Sequence, residues 1–271
     1  MLPTLDTFKT AVSRRLSEGQ SVLDCCDLLD ALAHSEVIPT WMCQELRGLD
    51  ADPASEAIAW ASGERILIAE LRWSLHLKRY DRGSPNVFSL PYLAAFAVIA
   101  GRLDITFFEL GDSFDHAVFD RSRKLGPGLR RSLRAGESLC VDGNLHAIQI
   151  DVPEPTLALR LFSEPIHDLQ WQFDPVSRIP VAAISARELD SELVSLAKLL
   201  GALGDPSATD ALIALTSHPR HFVRWAALQA LGLIDGEKAG RRLRDFTDDR
   251  HPEIAAMASK LVERHKLQEV G

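Results

Sequence analysis

Apolar positions in the first sixty residues recur at helical spacing. Phe8, Val12 and Leu16 form one stripe, and Val22, Leu23, Leu28, Leu29 and Leu32 form another, which predicts two or three short helices. Pro39 and Pro53 punctuate this region, and Ser35 to Thr40 reads as a connection. From about Arg65 the period shortens. Ile66-Leu67-Ile68 and Trp73 to Tyr80 are short runs with β-branched and aromatic side chains, followed by the turn signal Asp81-Arg82-Gly83-Ser84-Pro85. Phe96 to Ile99, Gly101-Arg102 and Leu103 to Leu110 predict strand, tight turn, strand, with Leu103, Ile105 and Phe107 two residues apart. Leu133 to Glu137, Ser138 to Val141, His146 to Val152, Thr156 to Phe162 and Ile179 to Ile184 continue the rhythm, which belongs to an antiparallel barrel or sandwich.

After Ala186 the pattern turns helical again and repeats. Leu200-Gly201-Ala202-Leu203-Gly204-Asp205 matches Leu231-Gly232-Leu233-Ile234-Asp235-Gly236, and Phe222 to Ala227 returns more weakly as Glu253 to Ala258. The period is roughly thirty residues, as in solenoids of paired helices. The alanines have a physical reason: helices that approach closely need small side chains between them.

Composition narrows the class. A hydrophobic fraction of 46% and a charged fraction of 25% are those of an ordinary globular protein. The net charge of -8 argues against a nucleic-acid partner, which would favour a basic stripe. Arg121, Arg123, Lys124, Arg130, Arg131 and Arg134 are a local exception, readable as an anion contact or as a solvated loop between strands. No apolar run reaches the ~18 residues of a membrane helix, and no signal segment opens the chain, so a cytoplasmic protein with no membrane partner is expected. Cys25, Cys26, Cys43 and Cys140 show no CxxC spacing and are expected as reduced thiols.

Two families are resembled. His218-Pro219 to Leu231-Gly232 resembles a short bacterial HEAT repeat, in which a proline opens the second helix and an arginine follows a valine; Pro252 and Ile254 keep that pattern while Ala255 replaces the arginine. The middle of the chain resembles the cysteine dioxygenase-like (thiol dioxygenase) branch of the cupins. The pieces that carry this are Gly83-Ser84-Pro85, Val98 to Leu103, Asn144-Leu145-His146-Ala147-Ile148, Leu157 to Pro165 and Phe173-Asp174. Together the two resemblances imply an α+β chain: an N-terminal helical region over 1–62, an antiparallel cupin-type β-barrel over 63–185, and a C-terminal α-solenoid of HEAT-like repeats over 186–271.

The cupin resemblance also implies an Fe(II) site of three imidazoles, and here the chain departs from it. Asn86-Val87-Phe88 stands where the family has His-x-His, and Arg160 and Phe162 stand where it has a histidine and a tyrosine. Asparagine is a feeble iron ligand and phenylalanine is none. His146 alone would not hold the ion. A degenerate metal site follows, with no cofactor expected. The substitutions suggest instead a pocket formed by Asn86, Phe88, Phe96, His146, Arg160 and Phe162 that takes a small organic anion. The blander alternative is a filled core in which Arg160 pairs with Glu137 or Glu109.

Three functions remain open on the sequence. One is a non-catalytic module that binds a small anion and meets a protein partner through its HEAT-like repeats. The second is a non-heme-iron cupin oxygenase, thiol dioxygenase-like, with displaced ligands drawn from His76, His146 and Glu109. The third places His218, His221, Arg224 and Trp225 on an exposed contact ridge, although in the resembled repeats the proline, valine and arginine serve structure.

Overall fold

Helix α1 (Leu5–Ser17) starts where Thr4 caps it, the Thr4 hydroxyl accepting from the Thr7 amide at 3.2 Å. A 3-10 turn over Val22–Cys25 leads into α2 (Cys26–Ala33), and α3 (Val37–Ala51) follows. The structure is a computed structural model and describes residues 4–51 and 63–269; the break expected at Pro53 lies outside the described residues. Ser35 to Thr40, expected as a connection, contains the start of α3, because Pro39 falls in the first helical turn, where its missing N–H costs nothing.

The chain divides into two compact units, Met1–Ala186 and Arg187–Gly271. Among the described residues of the first, eleven strands, numbered in chain order, form two antiparallel sheets. The five-stranded sheet runs β1 (Glu64–Ala69), β2 (Trp73–Tyr80), β9 (Thr156–Ser163), β4 (Leu93–Ala100), β7 (Ser138–Asp142). The six-stranded sheet runs β11 (Pro180–Ser185), β10 (Leu169–Phe173), β3 (Val87–Ser89), β8 (His146–Asp151), β5 (Arg102–Glu109), β6 (Leu129–Arg134). The expected closed barrel is thus seen as two separate sheets, and no ladder among the described residues joins one to the other.

Side-chain alternation builds two cores from one sheet. Trp73, Leu75, Leu77, Ala95, Ala97, Leu159 and Leu161 point outward and pack beneath Phe8, Val12, Leu29 and Leu32 of the N-terminal helices. The alternate residues Tyr80, Phe96, Val98 and Ala158 point inward and meet Leu103, Ile105 and Ile148 of the second sheet. Between β4 and β5 only glycine fits. Gly101 has φ +84°, and a Cβ there would lie 2.5 Å from the Pro155 carbonyl. The far side of the six-stranded sheet carries Trp171, covered by Phe114 and Phe119 of the β5–β6 connection with ring centroids 4.6 and 5.0 Å away.

The expectation of four reduced thiols is corrected. Cys26 on α2 and Cys140 on β7 form a disulfide, while Cys25 and Cys43 are free. The pair is 114 residues apart in sequence, so spacing carried no hint of it.

The second unit comprises α4 (Glu188–Leu203), α5 (Thr209–Leu215), α6 (His221–Ile234), α7 (Gly236–Asp245) and α8 (Pro252–Glu269). Small residues set its spacing as expected: a Cβ on Gly201 of α4 would lie 2.8 Å from the Ala230 Cα of α6. The exposed ridge is not what the fold makes of its residues. Arg224 is 5% exposed and bonded to Asp249 at 2.6 and 2.9 Å, and Trp225 packs against the helical core. Among the described residues no helix is long and apolar enough to cross a membrane.

Candidate functional site

A cavity of about 1080 Å³ opens among the inward residues of the first unit. Its wall is mostly apolar, with Phe88, Leu90, Phe96, Ile148, Ile150 and Phe162, and Met42 and Leu46 of α3 contribute to it. Arg160, Tyr80, Lys78 and Gln170 are polar members of the same wall, to which Glu45 and the exposed Arg79, Asp81 and Arg82 also belong. Such a space matches the roughly 300–1,000 Å³ of small-molecule sites, where a few polar groups interrupt an apolar lining.

Sheet register places the polar members. His76, Arg160 and Phe96 lie abreast on β2, β9 and β4, and Glu64 of β1 pairs with Lys78 of β2. The Arg160 Nη2 donates to Glu64 Oε1, the same oxygen lies 2.7 Å from His76 Nδ1, and Lys78 Nζ is 3.5 Å from Oε2. The second ring nitrogen of His76 is 2.8 Å from the Ser74 hydroxyl. Burial alone would raise the Glu64 carboxyl, but His76 and Arg160 outweigh it and bring it down to about 2. Glu64 is therefore ionised at every working pH.

Arg160 stacks with its Cζ 5.0 Å from the centre of the Phe162 ring. Its only hydrogen bond among the described residues runs to Glu64, leaving most of its five donor hydrogens unspent. Its Nε is shielded without a partner, and so is the Tyr80 hydroxyl. Burial pushes the Tyr80 phenol up, against the pull of the Arg160 charge, so the hydroxyl stays a donor. A buried donor left unbonded costs about 1–3 kcal/mol, and an acceptor reaching this corner would recover it.

Four of the six expected pocket residues, Phe88, Phe96, Arg160 and Phe162, share this wall. His146 and Asn86 do not line it. His146 leans on Phe107 at 5.6 Å with its Nδ1 3.3 Å from the Asp142 carbonyl, and the Asn86 carbonyl accepts from Ser84 at 2.7 Å. Arg160 does not pair with Glu137 or Glu109 as the filled-core reading had it. The Glu137 carboxylate accepts from the Arg134 amide, and Glu109 stands opposite His146 on the other sheet. Glu64 and Tyr80 escaped the sequence reading, although both share the inward parity of His76.

The displaced metal triad does not assemble. His146 and Glu109 face each other across β8 and β5, whereas His76 sits on the other sheet with both ring nitrogens engaged. Among the described residues no three His, Cys, Asp or Glu side chains are grouped to hold a metal. The basic cluster is partly spent on structure. Arg130, together with Arg102, bonds the fully buried Asp104, and Arg123 bonds Ser113.

A second polar feature lies on the far side of the six-stranded sheet, where the His116 and His167 rings stack 3.5 Å apart. Burial, reinforced by the neighbouring imidazole, lowers His167 to about 4, and burial lowers His116 as well. Unfolded imidazoles take protons near 6.5. Between those values the unfolded chain binds more protons, so stability is full above about pH 6.5 and falls as pH drops toward 4. The unfolding midpoint of the first unit is expected to decline across this window, and less steeply in His167→Phe. Equal acid slopes in the two proteins would remove His167 as the cause.

The architecture is that of an α+β protein in which two facing antiparallel sheets under a helical cover precede a helical stack. The stack, over residues 190–261, matches the family described as HEAT repeats. Solved structures resemble part of the chain. Hydroquinone 1,2-dioxygenase from Sphingomonas sp. TTNP3 with 4-hydroxybenzoate bound is 18% identical over 42% of this chain and 71% of its own, with a TM-score of 0.31. The EutQ protein of Clostridium difficile is 19% identical over 38% and 67%, with a TM-score of 0.26. A cupin-2 domain containing protein from Shewanella frigidimarina NCIMB 400 is 16% identical over 38% and 78%, also at 0.26. No curated protein matches the chain.

Proposed function

We propose that the first unit is a cupin-like receptor for a small organic anion and that the HEAT-type unit meets a protein partner. The acidic group of the ligand takes the unspent donors of Arg160, and its apolar body lies against Phe88, Phe96 and Phe162. One observation carries this reading: a guanidinium whose one hydrogen bond among the described residues runs to Glu64 stands beside Phe88, Phe96 and Phe162 in the cavity wall. The role in this reading is binding rather than iron chemistry, because His76 is engaged at both nitrogens and His146 and Glu109 lie on the other sheet, so these donors do not converge on an Fe(II) ion.

Phenylacetate is a suitable probe, as a carboxylate on an aromatic body. Titration calorimetry is expected to show saturable binding, and Arg160→Gln, checked for folding by circular dichroism, to weaken it by about 10- to 100-fold, the scale of a lost charge-assisted hydrogen bond. Unchanged affinity in that variant would overturn the proposal.

Support for the partner surface comes from α4, where Leu189, Leu196, Leu199 and Leu203 are 53–68% exposed at spacings of seven, three and four residues, along one helical face. A doubly substituted Leu196→Glu, Leu199→Glu protein is expected to lose cross-links that the wild type forms through α4 in cells. Identical cross-link patterns would remove this surface from the account.

A further inference from the structure

We propose that Glu64 sets the charge of the ligand the cavity accepts, admitting monoanions and turning away dianions such as phosphate monoesters. The inference rests on the anion-binding reading above and adds a selectivity to it.

Arg160 already carries one carboxylate. Its Nη2 is given to Glu64, so an arriving acidic group shares the same guanidinium through the donors that remain. Two acidic groups on one guanidinium lie within roughly 4–6 Å of each other, the range in which like charges interact strongly. Arg160 stands between them and the Lys78 amine lies 3.5 Å from the far oxygen of Glu64, so one added charge is tolerated. A second charge on the ligand meets the ionised Glu64, whose carboxylate already holds Arg160 and Lys78; of the other cations in the wall, Arg79 is paired with Asp81 and Arg82 is exposed. The Phe88, Phe96 and Phe162 side of the wall screens little, which sharpens the penalty. A carboxylate of average geometry therefore passes where a phosphate monoester does not.

The test uses the full chain and two ligands of similar shape, phenyl phosphate, a dianion at pH 8 because its second proton leaves near pH 6, and phenyl methyl phosphate, a monoanion. In calorimetry the wild type is expected to bind the monoanion at least about tenfold more tightly. Glu64→Gln, which keeps size and an acceptor oxygen, is expected to close that gap by gaining affinity for phenyl phosphate. Equal binding of the two by the wild type, or a gap unchanged in Glu64→Gln, would overturn the inference. Should Glu64→Gln fail to fold, the wild-type comparison decides alone. The two readings fail differently: phenylacetate bound through Arg160 with no gap between the phosphates removes only the Glu64 filter, while no binding of any of the three removes both.

Discussion

Replacing Cys26 by serine is expected to lower the stability of the first unit by about 2–4 kcal/mol. The bond to Cys140 ties α2 to β7 across a sequence separation of 114, and a loop near 100 residues has a chain-entropy ceiling of about 4.7 kcal/mol. Both cysteines sit at the edge of the core shared by the helices and the five-stranded sheet, so the link holds the helical cover onto that sheet. In a unit of this size each kcal/mol moves the melting point by about 2–4 °C, which predicts a fall of about 5–15 °C. Calorimetry without reductant measures it, and dithiothreitol should bring the wild type down to the variant while leaving the variant unmoved. Matching melting points for oxidised wild type and Cys26→Ser would show that the bond stabilises nothing. The neighbouring Cys25 is a poor agent for reshuffling it, because burial pushes its thiol up and keeps it protonated. In a reducing compartment thiol buffers favour the reduced form, so the reduced melting point is the relevant one there.

What the sequence makes legible is whatever repeats locally. Trp73 to Tyr80 and Thr156 to Phe162 are short runs rich in β-branched, aromatic and aliphatic residues, and both are strands within a residue of the expected limits. Gly101 between two apolar runs marks a turn that only its φ of +84° permits. The helical repeat is visible because each unit needs the same small residues at the same contacts, as Gly201 against Ala230 illustrates. Pairings set by register across the sheets are not legible. Arg160 and Glu64 are 96 residues apart, and nothing near Arg160 announces that its partner lies on the edge strand β1 rather than at Glu137 or Glu109. Leu129–Arg134 and Ser138–Asp142 are separated by a short turn at Gly136, yet they belong to different sheets. A chain that changes sheet in so few residues looks locally the same as a hairpin. Phe88, Arg160 and Phe162 were read as lining from the cupin resemblance, because they stand where that family has histidines and a tyrosine. Asn86 and His146 were drawn in by the cupin resemblance, and neither reaches the cavity wall.

Arg224→Met is expected to cost the second unit about 3–5 kcal/mol, the scale of breaking a buried ion pair from one side. Arg224 is almost fully used. Its Nε and Nη2 donate to the two Asp249 oxygens at 2.9 and 2.6 Å, and Nη1 donates to the carbonyls of His218 and Pro219 at 2.9 Å each. Those carbonyls belong to the turn that precedes α6, while Asp249 belongs to the turn that precedes α8, so one side chain fixes the entry of two helices. Methionine fills much of the volume but leaves Asp249 buried without its cation. Burial would raise the Asp249 carboxyl, and it is Arg224 and the His251 amide that keep it lowered. The cost should therefore shrink when the charge is removed too: Arg224→Met with Asp249→Asn is expected to be more stable than Arg224→Met alone, since asparagine retains an acceptor for the His251 amide, now 2.8 Å from the Asp249 carboxylate. Urea unfolding of the full chain, followed by far-ultraviolet circular dichroism, reads both changes as shifts of the helical transition. Stability unchanged in Arg224→Met would return this arginine to the contact ridge that its buried geometry argues against.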